Sequence, residues 1–422
     1  STPTKKMPES KRNLKNIKRD FLKTNIATHL HQNLHVKISN YLSSIVKQDH
    51  PFSLKHIKNI LLTGATGYLG CNILRQLLLH TNYNVFLLIR SSSIEKAHQT
   101  MSRKYRFYFD EDLDLLYNHR VFIFKSDLEE PFLGIPNDAY HQLTNEVDSI
   151  IHCAALTKHY GNYNEFYSAN VQATINLLEF SKQTAQKDFH FISTISTLDN
   201  NCTAGNDVTL FTEDDIIDTL DKQSNIYIKT KHEAEKVIMQ YKKYGIISNI
   251  YRVGNLAYIS DNFRVQETVE ENAFFSRMKC LVTLNIAAKE LGIEEISPVD
   301  LTALAIVKIM DKNELSNQIH HVFNPNVCNV VEFLSKLNPK PVQIVPISTF
   351  IDALTDYLYK PNMHHPMIMH FLLHQNWLDG SNKLHIINFV LQNRTNAILE
   401  KLGFKWPKIT QSIFDEFIKH TY

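Results

Sequence analysis

The stretch Ile57–Arg90 decides the fold, and it reads IKNILLTGATGYLGCNILRQLLLHTNYNVFLLIR. It begins with a short apolar run, Ile60–Leu62, which has the length of a buried strand. Three glycines follow in the spacing GxxGxxG, and an apolar pattern of helical period then leads to a second strand at Val85–Ile89. Strand, glycine turn, helix and strand within about 30 residues are typical of the βαβ unit that binds dinucleotides.

The three glycines of this turn are Gly64, Gly67 and Gly70. In such a unit they provide the tight turn, the close approach of backbone to pyrophosphate, and the close packing of helix on strand. The exposed N–H groups at the start of the helix then attract the phosphates. Glycine turns also occur for ordinary folding reasons, but the strands and the helix on both sides favour a cofactor site here.

The overall composition excludes some partners. The chain has 422 residues, enough for one large domain and a smaller one. A net charge of +2 with 21% charged residues gives no drive toward nucleic acid or membrane. Five cysteines without a CxxC pair favour a reducing cytosol. Because no apolar run approaches the ~20 residues that cross a bilayer, and no signal peptide opens the chain, we expect a cytoplasmic, monomeric domain.

Residues 1–50 form a leader before the first strand. Residues 1–24 are basic and polar, which favours a solvated linker over a nucleic-acid-binding arm. The segment His29–Gln48 has a helical apolar pattern, and Pro51 ends the leader. Because the first residue is Ser1 and not Met, we expect an excised or processed piece of a longer polypeptide.

Strands alternate with helices from Ile57 to about Ser260, which predicts a doubly wound parallel sheet of the Rossmann type. Beyond the opening unit, strands are predicted at Val121–Phe124, Ser149–Ala155, Phe189–Ser193, Ile247–Val253 and His320–Phe323. Helices are predicted up to Tyr108, over Asn170–Lys182, Asn225–Tyr244, 263–292 and Ile296–Asp311, and in the aromatic tail 345–422. The predicted cofactor domain is 51–262 with 293–335 returning to it, and 263–292 with 336–422 form a smaller, mainly helical substrate lobe.

Two residues at strand ends bear on the choice of cofactor. Arg90 ends the second strand, where NAD-specific folds often place an acid for the ribose 2′-hydroxyl. An arginine there can pair with a 2′-phosphate, which favours NADP(H) over NAD(H). Asp127 follows the third strand and could reach the adenine end, although an ordinary loop aspartate fits as well.

Tyr227 and Lys231 form a YxxxK pair within a predicted helix. The spacing places both side chains on one helical face, and an ammonium near a phenol lowers the phenol pKa. That arrangement would allow proton transfer near neutral pH. A hydroxyl at the end of the preceding strand could assist, and Ser193, Thr194 and Ser196 all compete for that role.

Together these segments resemble the extended short-chain dehydrogenase/reductase superfamily. More specifically they resemble the terminal thioester reductase domains of nonribosomal peptide synthetases, with carboxylic acid reductase domains close behind. The motifs that carry the resemblance are TGATGYLG (63–70), SDLEEPFLGIP (126–136), IHCAAL (151–156), FISTIS (191–196), YIKTKHEAE (227–235), YRVGNLAYISDNF (251–263), EISPVD (295–300) and LGFKWP (402–407).

The resemblance implies NADPH-dependent reduction of a peptidyl or acyl thioester that a phosphopantetheine carrier domain delivers. The product is an aldehyde, and a second hydride would give an alcohol. Thr194, Tyr227 and Lys231 are implied as the catalytic residues, and the leader as the linker from the carrier. The implied cofactor contacts are Thr63, Gly64, Thr66, Gly67, Tyr68, Leu69, Gly70, Arg90, Asp127, Leu128, Ala154, Tyr227 and Lys231.

The sequence departs from the family pattern at three places. Alanine replaces the glycine of NVxGT at Ala173, and Ser126 stands where relatives have glycine before Asp127. A second arginine in the helix after Arg90 falls on Thr100, so that Arg103 or Lys104 would have to replace it. Aromatic residues of the substrate lobe could line an acyl channel, although most are expected to be core: Phe274, Phe275, Phe371, Trp377, Phe389 and Trp406.

Two other functions stay open. The chain could be a free-standing reductase or epimerase that acts on a soluble sugar or alcohol, or a non-catalytic NADP-binding scaffold. No metal site is predicted, since His364, His365 and His374 have no partner ligands at suitable spacing.

Overall fold

In the computed structural model, the apolar run after Lys58 forms strand β1, Asn59–Thr63, which is buried from its second residue onward. Leu61 packs into the hydrophobic layer on one face of the sheet, and Leu62 packs into the layer on the other face. Successive side chains of a strand point to opposite faces. A continuous apolar run is therefore what a strand covered on both faces requires.

The structure describes residues 28–46, 50–158, 161–184, 187–201, 203–204, 207–208, 210–217, 225–291, 293–358 and 390–421. The strands in these ranges are β1 Asn59–Thr63, β2 Asn84–Ile89, β3 Val121–Lys125, β4 Ser149–His152, β5 Asp188–Thr194, β6 Thr203–Ala204, β7 Asp207–Val208, β8 Ser248–Val253, β9 Leu256–Ala257, β10 Ile286–Ala288, β11 Ile293–Glu294, β12 Ser297–Pro298, β13 Ile319–Val322, β14 Cys328–Asn329 and β15 Gln343–Val345.

The described residues form a seven-stranded sheet in the order β3-β2-β1-β4-β5-β8-β13, in which every neighbouring pair is parallel. This confirms the predicted doubly wound parallel fold. The chain builds outward from β1 in both directions, so that the strand order reverses between β1 and β4. Open α/β sheets bind ligands in the crevice at the carboxyl ends of the strands at such a reversal.

Helices cover the two faces of the sheet and form much of the C-terminal part. Their bounds are α1 Thr28–Val46, α2 Tyr68–His80, α3 Ile94–Phe109, α4 Asn137–Glu146, α5 Tyr163–Tyr167, α6 Ala173–Ser181, α7 Ile226–Tyr241, α8 Ala273–Leu284, α9 Val299–Met310, α10 Val330–Ser335, α11 Ile347–Leu358, α12 Asn393–Lys401 and α13 Gln411–Lys419. A π-helical turn joins α5 to α6. Among the described residues, no helix combines the length and the apolar character that crossing a bilayer requires.

Three predicted elements need correction. The strand predicted over Ser149–Ala155 ends at His152. The helix predicted over 263–292 is only α8, because Asn285 adopts a left-handed conformation (φ 56°) that ends the helix before β10. The helix predicted from Ile296 starts at Val299, since β12 pairs with β9 before the helix begins.

The aromatic residues of the C-terminal part are mostly core. Phe274 and Phe275 of α8 are buried, and each ring centroid lies 6.3 Å from that of Phe417 on α13. They therefore do not line an acyl channel. The Trp406 indole donates a hydrogen bond to Asn396 Oδ1 at 3.2 Å. The other residues proposed above for a channel or a metal lie outside the described residues: Phe371, Trp377, Phe389, His364, His365 and His374.

Helix α1 confirms the helix predicted in the leader, and it is packed against the rest of the chain. Tyr41 is buried, and its hydroxyl accepts a hydrogen bond from the Arg394 backbone N–H at 2.9 Å. Lys37 Nζ donates to the Leu210 carbonyl at 2.6 Å and lies 2.8 Å from the carboxylate of Asp215. Residues 1–24, predicted to be a solvated linker, lie outside the described part.

Candidate active site

The glycine turn lies in the crevice between β1 and β4. Gly64 directly follows β1 and has a φ of +75°, a conformation that favours glycine. A Cβ at Gly64 would lie 2.6 Å from the backbone nitrogen of Ala154, which follows β4. A Cβ at Gly70 would lie 2.0 Å from the Gly64 carbonyl oxygen. Backbone approaches backbone on both sides of the turn, which leaves the cradle that a pyrophosphate needs.

The start of helix α2 forms the wall of this cradle. The N-cap residue is Gly67, so no side chain caps the first N–H groups of the helix, and those groups attract an anion. The side chains of Tyr68 and Leu69 are buried, and the Tyr68 hydroxyl donates to the Ala257 carbonyl at 2.6 Å. These two residues can therefore offer a cofactor only their backbone, whereas Thr66 in the turn is half-buried.

His152 joins the two strands of the crevice, and sequence reasoning did not single it out. Its Nε2 lies 3.1 Å from the hydroxyl of Thr174, which itself donates to the Asn170 carbonyl, and its Nδ1 lies 2.8 Å from the hydroxyl of Thr63. Nε2 therefore carries the ring proton, and Thr63 donates to Nδ1. Burial lowers the pKa of His152 to about 3, with the charge of Lys231 as the second cause. The neutral ring fixes the position of the glycine turn.

The acidic loop after β3 contacts Arg90. The Arg90 side chain is 74% exposed, and its Nη1 lies 2.9 Å from Glu129 Oε1. Asp127 uses Oδ1 to accept the Glu129 backbone N–H at 3.1 Å, and the Leu128 carbonyl accepts Asn176 Nδ2 at 2.8 Å. The loop is thus held in place with a guanidinium and carboxylates at the end of β2, where the adenosine ribose would lie.

The two cations considered as replacements for a second arginine are already paired. Arg103 and Lys104 of α3 both bind the carboxylate of Glu267. They are therefore directed toward the segment after β9. Among the described residues, Arg90 is the cation at the end of β2 that a 2′-phosphate could reach without breaking this cluster.

The strand that carries Thr194 and the helix that carries the YxxxK pair are in direct contact. Thr194 is the last residue of β5, and its Oγ1 accepts the Ser196 backbone N–H at 3.2 Å. Helix α7 begins at its cap residue Asn225, whose Oδ1 accepts the Tyr227 backbone N–H at 2.8 Å. One turn later, Lys231 Nζ donates to the carbonyl of Ile192 on β5 at 2.5 Å.

The ionisation of this pair differs from the prediction. Burial raises the pKa of Tyr227 above its ordinary value, and Cys153 adds to the effect. Burial also lowers the pKa of Lys231 to about 8, although Cys153 and Glu235 oppose that change. The predicted lowering of the phenol pKa is therefore not found, because the ammonium is directed to the Ile192 carbonyl and burial dominates. Tyr227 is a neutral phenol, which is the form that donates a proton.

Asn170 ties helix α7 to the segment that follows β4. Its Nδ2 donates to the Thr230 hydroxyl at 3.0 Å, and its amide exchanges hydrogen bonds with the backbone of Leu156 at 2.7 and 3.1 Å. It lies in the π-helical turn Ser168–Gln172, and single π-helical turns are frequent at functional sites. The alanine at position 173 is buried directly after this turn.

A buried carboxyl connects the motifs RVGNL and EISPVD. The Asn255 backbone N–H donates to Glu295 Oε2 at 2.6 Å, and the Ser297 hydroxyl donates to Oε1. A Cβ at Gly254 would lie 2.4 Å from this carboxyl group, so the two motifs need each other. Burial raises the pKa of Glu295 to about 8. Sequence reasoning recognised both motifs but not their contact.

Metal chemistry finds no support in the described part of the chain. Within those ranges, no group of three or more His, Cys, Asp or Glu side chains could hold a metal ion. The four cysteines described there are unpaired thiols, Cys71, Cys153, Cys280 and Cys328.

A family model described as Male sterility protein, NAD_binding_4, matches residues 62–306, which is more than half of the chain. The chain belongs to this family. The matched range runs from β1 into α9 and includes the glycine turn, Thr194, Tyr227 and Lys231. The residues present fit a dinucleotide, since the cradle at Gly64 and Gly70 leaves no room for side chains.

Known proteins share this sequence and fold. The chain is 25% identical over 362 residues to a linear gramicidin synthase of Brevibacillus parabrevis, with 85% of this chain and 7% of that protein covered. It is 26% identical over 338 residues to the L-2-aminoadipate reductase large subunit of Penicillium chrysogenum, with coverage of 75% and 23%. A thiolation-reductase di-domain from an archaeal non-ribosomal peptide synthetase has a TM-score of 0.74 at 22% identity, with 95% and 81% of the two chains covered.

These similarities confirm the predicted resemblance to reductase domains, the extended short-chain fold and the class, an NAD(P)-binding oxidoreductase domain. The chain spans less than a quarter of the length of both curated relatives. Their full activities therefore belong to larger proteins.

Proposed function

We propose that this chain reduces a peptidyl or acyl thioester held on a phosphopantetheine arm, with NADPH as the reductant, and so releases an aldehyde. The observation that carries the proposal is the contact of Lys231 with the Ile192 carbonyl, which places the YxxxK helix against the strand that ends in Thr194. This contact lies at the edge of the sheet that also holds the glycine turn. Similarity to the aminoadipate reductase and to the thiolation-reductase di-domain supports the substrate class.

The described side chains can carry out the steps of such a reduction. A bound reduced nicotinamide supplies the hydride to the thioester carbonyl carbon. Thr194 and Tyr227 donate hydrogen bonds to the developing oxyanion, which a preorganised polar site stabilises. Tyr227 then gives its proton to that oxygen and forms a thiohemiacetal, and the charge of Lys231 stabilises the phenolate left behind. When the C–S bond breaks, the thiohemiacetal proton moves to the departing sulfur, and an aldehyde and a free thiol are formed.

The proposed partner is a phosphopantetheine-bearing carrier domain, as in the di-domain whose fold is similar. The leader, including helix α1, would be the connection from that carrier. We place the reaction in the cytoplasm, with the reductase domain acting as a monomer. Its domain division is the one predicted from the sequence.

A direct assay of the full chain with NADPH and a series of acyl- and aminoacyl-pantetheine thioesters tests the proposal. We expect oxidation of NADPH together with release of free thiol and aldehyde. One NADPH per thiol identifies an aldehyde product, and two identify an alcohol. Turnover of sugars or alcohols with no reaction of any thioester would instead establish a free-standing reductase or epimerase. Cofactor binding without any hydride transfer would establish a scaffold.

Replacing Arg90 by glutamine is expected to weaken NADPH binding about 10- to 100-fold, as the loss of a hydrogen bond to a charged group predicts. The affinity for NADH should be unchanged, because NADH has no 2′-phosphate. Titrations followed by the fluorescence of the reduced nicotinamide give both dissociation constants. Arg106→Gln is the matched control, since Arg106 is also exposed and paired, with Asp112 at 2.5 Å. Equal loss of both cofactors would show that Arg90 does not read the 2′-phosphate.

Thioester reduction is expected to slow as the pH rises through about 8, where Lys231 loses its proton. Replacement by arginine keeps the charge, so Lys231→Arg should move this basic limb of kcat/KM to higher pH. Burial lowers the folded-state pKa below the unfolded value, so the unfolded chain binds more protons between the two values. This group therefore makes the free energy of unfolding rise with pH in that window, and loss of stability there does not explain the slower rate. An unmoved limb in the arginine variant would rule out Lys231 as its origin.

A further inference from the structure

Glu235 lies on α7 one turn beyond Lys231, and its side chain is 0% exposed. A buried charge is costly unless it is paired and hydrogen-bonded. Arg252 on β8 meets this need, with Nη2 at 2.6 Å from Oε2 and Nε at 3.1 Å from Oε1. Burial alone would raise the pKa of Glu235, but the Arg252 guanidinium more than compensates and lowers it. Glu235 is therefore an ionised carboxylate behind the catalytic face of the helix.

The same carboxylate is bonded to the strand end beside Thr194. The Ser193 hydroxyl donates to Glu235 Oε1 at 2.5 Å. The Thr197 hydroxyl, in the turn after β5, lies 2.9 Å from the Thr194 carbonyl and 3.4 Å from Glu235 Oε1. Residues before and after Thr194 are thus held against one carboxylate.

Arg252 is itself fixed from the opposite side. Its Nη1 donates to the Asp215 carbonyl at 2.9 Å and lies 3.4 Å from Nε2 of His321. The His321 Nδ1 lies 2.6 Å from the Leu391 carbonyl, and burial holds the pKa of His321 well below its ordinary value. The neutral ring therefore donates to Leu391 and accepts from Arg252, so the guanidinium cannot turn away from Glu235 without leaving buried groups unpaired.

We propose that Glu235 is a positioning residue for Thr194. It joins the helix that carries Tyr227 and Lys231 to the strand end that carries Thr194, so that the hydroxyl and the phenol converge on one carbonyl oxygen. The proposal rests on the catalytic roles proposed above for these residues. Misplacement of a reacting group by about 1 Å can cost on the order of 100-fold in rate, which is why a buried ionic tie is useful here.

Ser193→Ala tests the tie with a small change that keeps the Glu235–Arg252 pair. We expect kcat to fall about 10-fold or more, with the melting temperature and the dissociation constant of NADPH as in the control. The control is Ser248→Ala, which removes a buried hydroxyl of the neighbouring strand that makes no hydrogen bond within the described residues. Ser248 lies at the other end of the sheet, opposite Phe189 in the strand register.

Glu235→Gln adds a readout that a purely structural role would not move. The negative charge of Glu235 raises the pKa of Lys231, so its removal should shift the basic limb of the pH–rate profile to lower pH. Cys153 and His152 also interact electrostatically with Lys231, and they are unchanged in this variant. If Glu235→Gln does not fold, because Arg252 then lacks its carboxylate, Ser193→Ala decides alone.

Hydrogen exchange tests the positioning without any turnover. The Ser196 backbone N–H donates to Thr194 Oγ1, so its exchange should be faster in Ser193→Ala and unchanged in Ser248→Ala. Faster exchange in a protein that reduces no thioester would sustain the positioning role and refute the proposed function. Unchanged exchange and unchanged kcat in Ser193→Ala would overturn the positioning role, even if thioester reduction is established.

Discussion

The Tyr227→Phe variant is expected to lose about 10²- to 10⁴-fold in kcat for thioester reduction, the usual contribution of a positioned general acid. Burial keeps the phenol neutral, so the wild-type residue has a proton to give as the oxyanion forms. Phenylalanine retains the ring and its packing but has no proton to donate. The dissociation constant of NADPH should change little, because the glycine turn and Arg90 lie on other elements. Stopped-flow measurement of nicotinamide oxidation together with a cofactor titration checks both statements.

Tyr241→Phe is the matched control for this prediction. Tyr241 lies on the same helix, and its hydroxyl donates to Glu179 at 2.6 Å, away from Thr194. The control should keep the wild-type rate, although the loss of one hydrogen bond will lower the melting temperature slightly. Wild-type turnover in Tyr227→Phe would sink the mechanism, and equal loss in the two variants would point to a general effect on α7.

The opening βαβ unit could be predicted from the sequence almost to the residue. The strands predicted at Ile60–Leu62 and Val85–Ile89 are Asn59–Thr63 and Asn84–Ile89 in the structure. This part of the fold depends on local signals, namely apolar periodicity and glycine spacing, which lie within one short stretch. The parallel alternation extended the same argument to the whole sheet.

The buried ties of the site could not be predicted, because they join residues far apart in the chain. Thr63 and His152 are separated by 89 positions, and Ser193 and Glu235 by 42. Which side chains meet depends on strand order and register, and the period-2 and period-3.6 patterns do not specify these. Sequence reasoning therefore found Thr194 and Tyr227 but missed the groups that hold them.

The YxxxK pair shows the same limit on a smaller scale. The i,i+4 spacing correctly placed Tyr227 and Lys231 on one helix, which the structure shows as α7. The direction of the ammonium depends instead on β5, whose Ile192 carbonyl it binds. Burial by the packed sheet then sets both pKa values, and no local pattern reports burial of this kind. A site argued from spacing alone can therefore name the residues and still misjudge their charge.

Replacing Gly70 by alanine is expected to weaken NADPH binding at least about 10-fold and to destabilise the fold by about 1 to 3 kcal/mol, as overpacking generally does. The new Cβ would lie 2.0 Å from the carbonyl oxygen of Gly64 and 2.6 Å from its carbonyl carbon. Both are backbone atoms, so no side-chain rotation relieves the contact. Gly64 has little room to retreat, because the Ala154 backbone lies where a Cβ of Gly64 would be. The turn must therefore open where the pyrophosphate would lie.

Gly403→Ala separates the two effects of this change. Gly403 has a φ of +73°, but a Cβ there meets no atom within 4 Å. Its replacement should lower the melting temperature by straining the backbone, without changing the affinity for NADPH. Binding measured well below both melting temperatures then isolates the contribution of the turn. If Gly70→Ala binds NADPH as tightly as Gly403→Ala does, the close approach of helix α2 to Gly64 serves packing and not the cofactor, and the phosphate cradle must be sought elsewhere in the crevice.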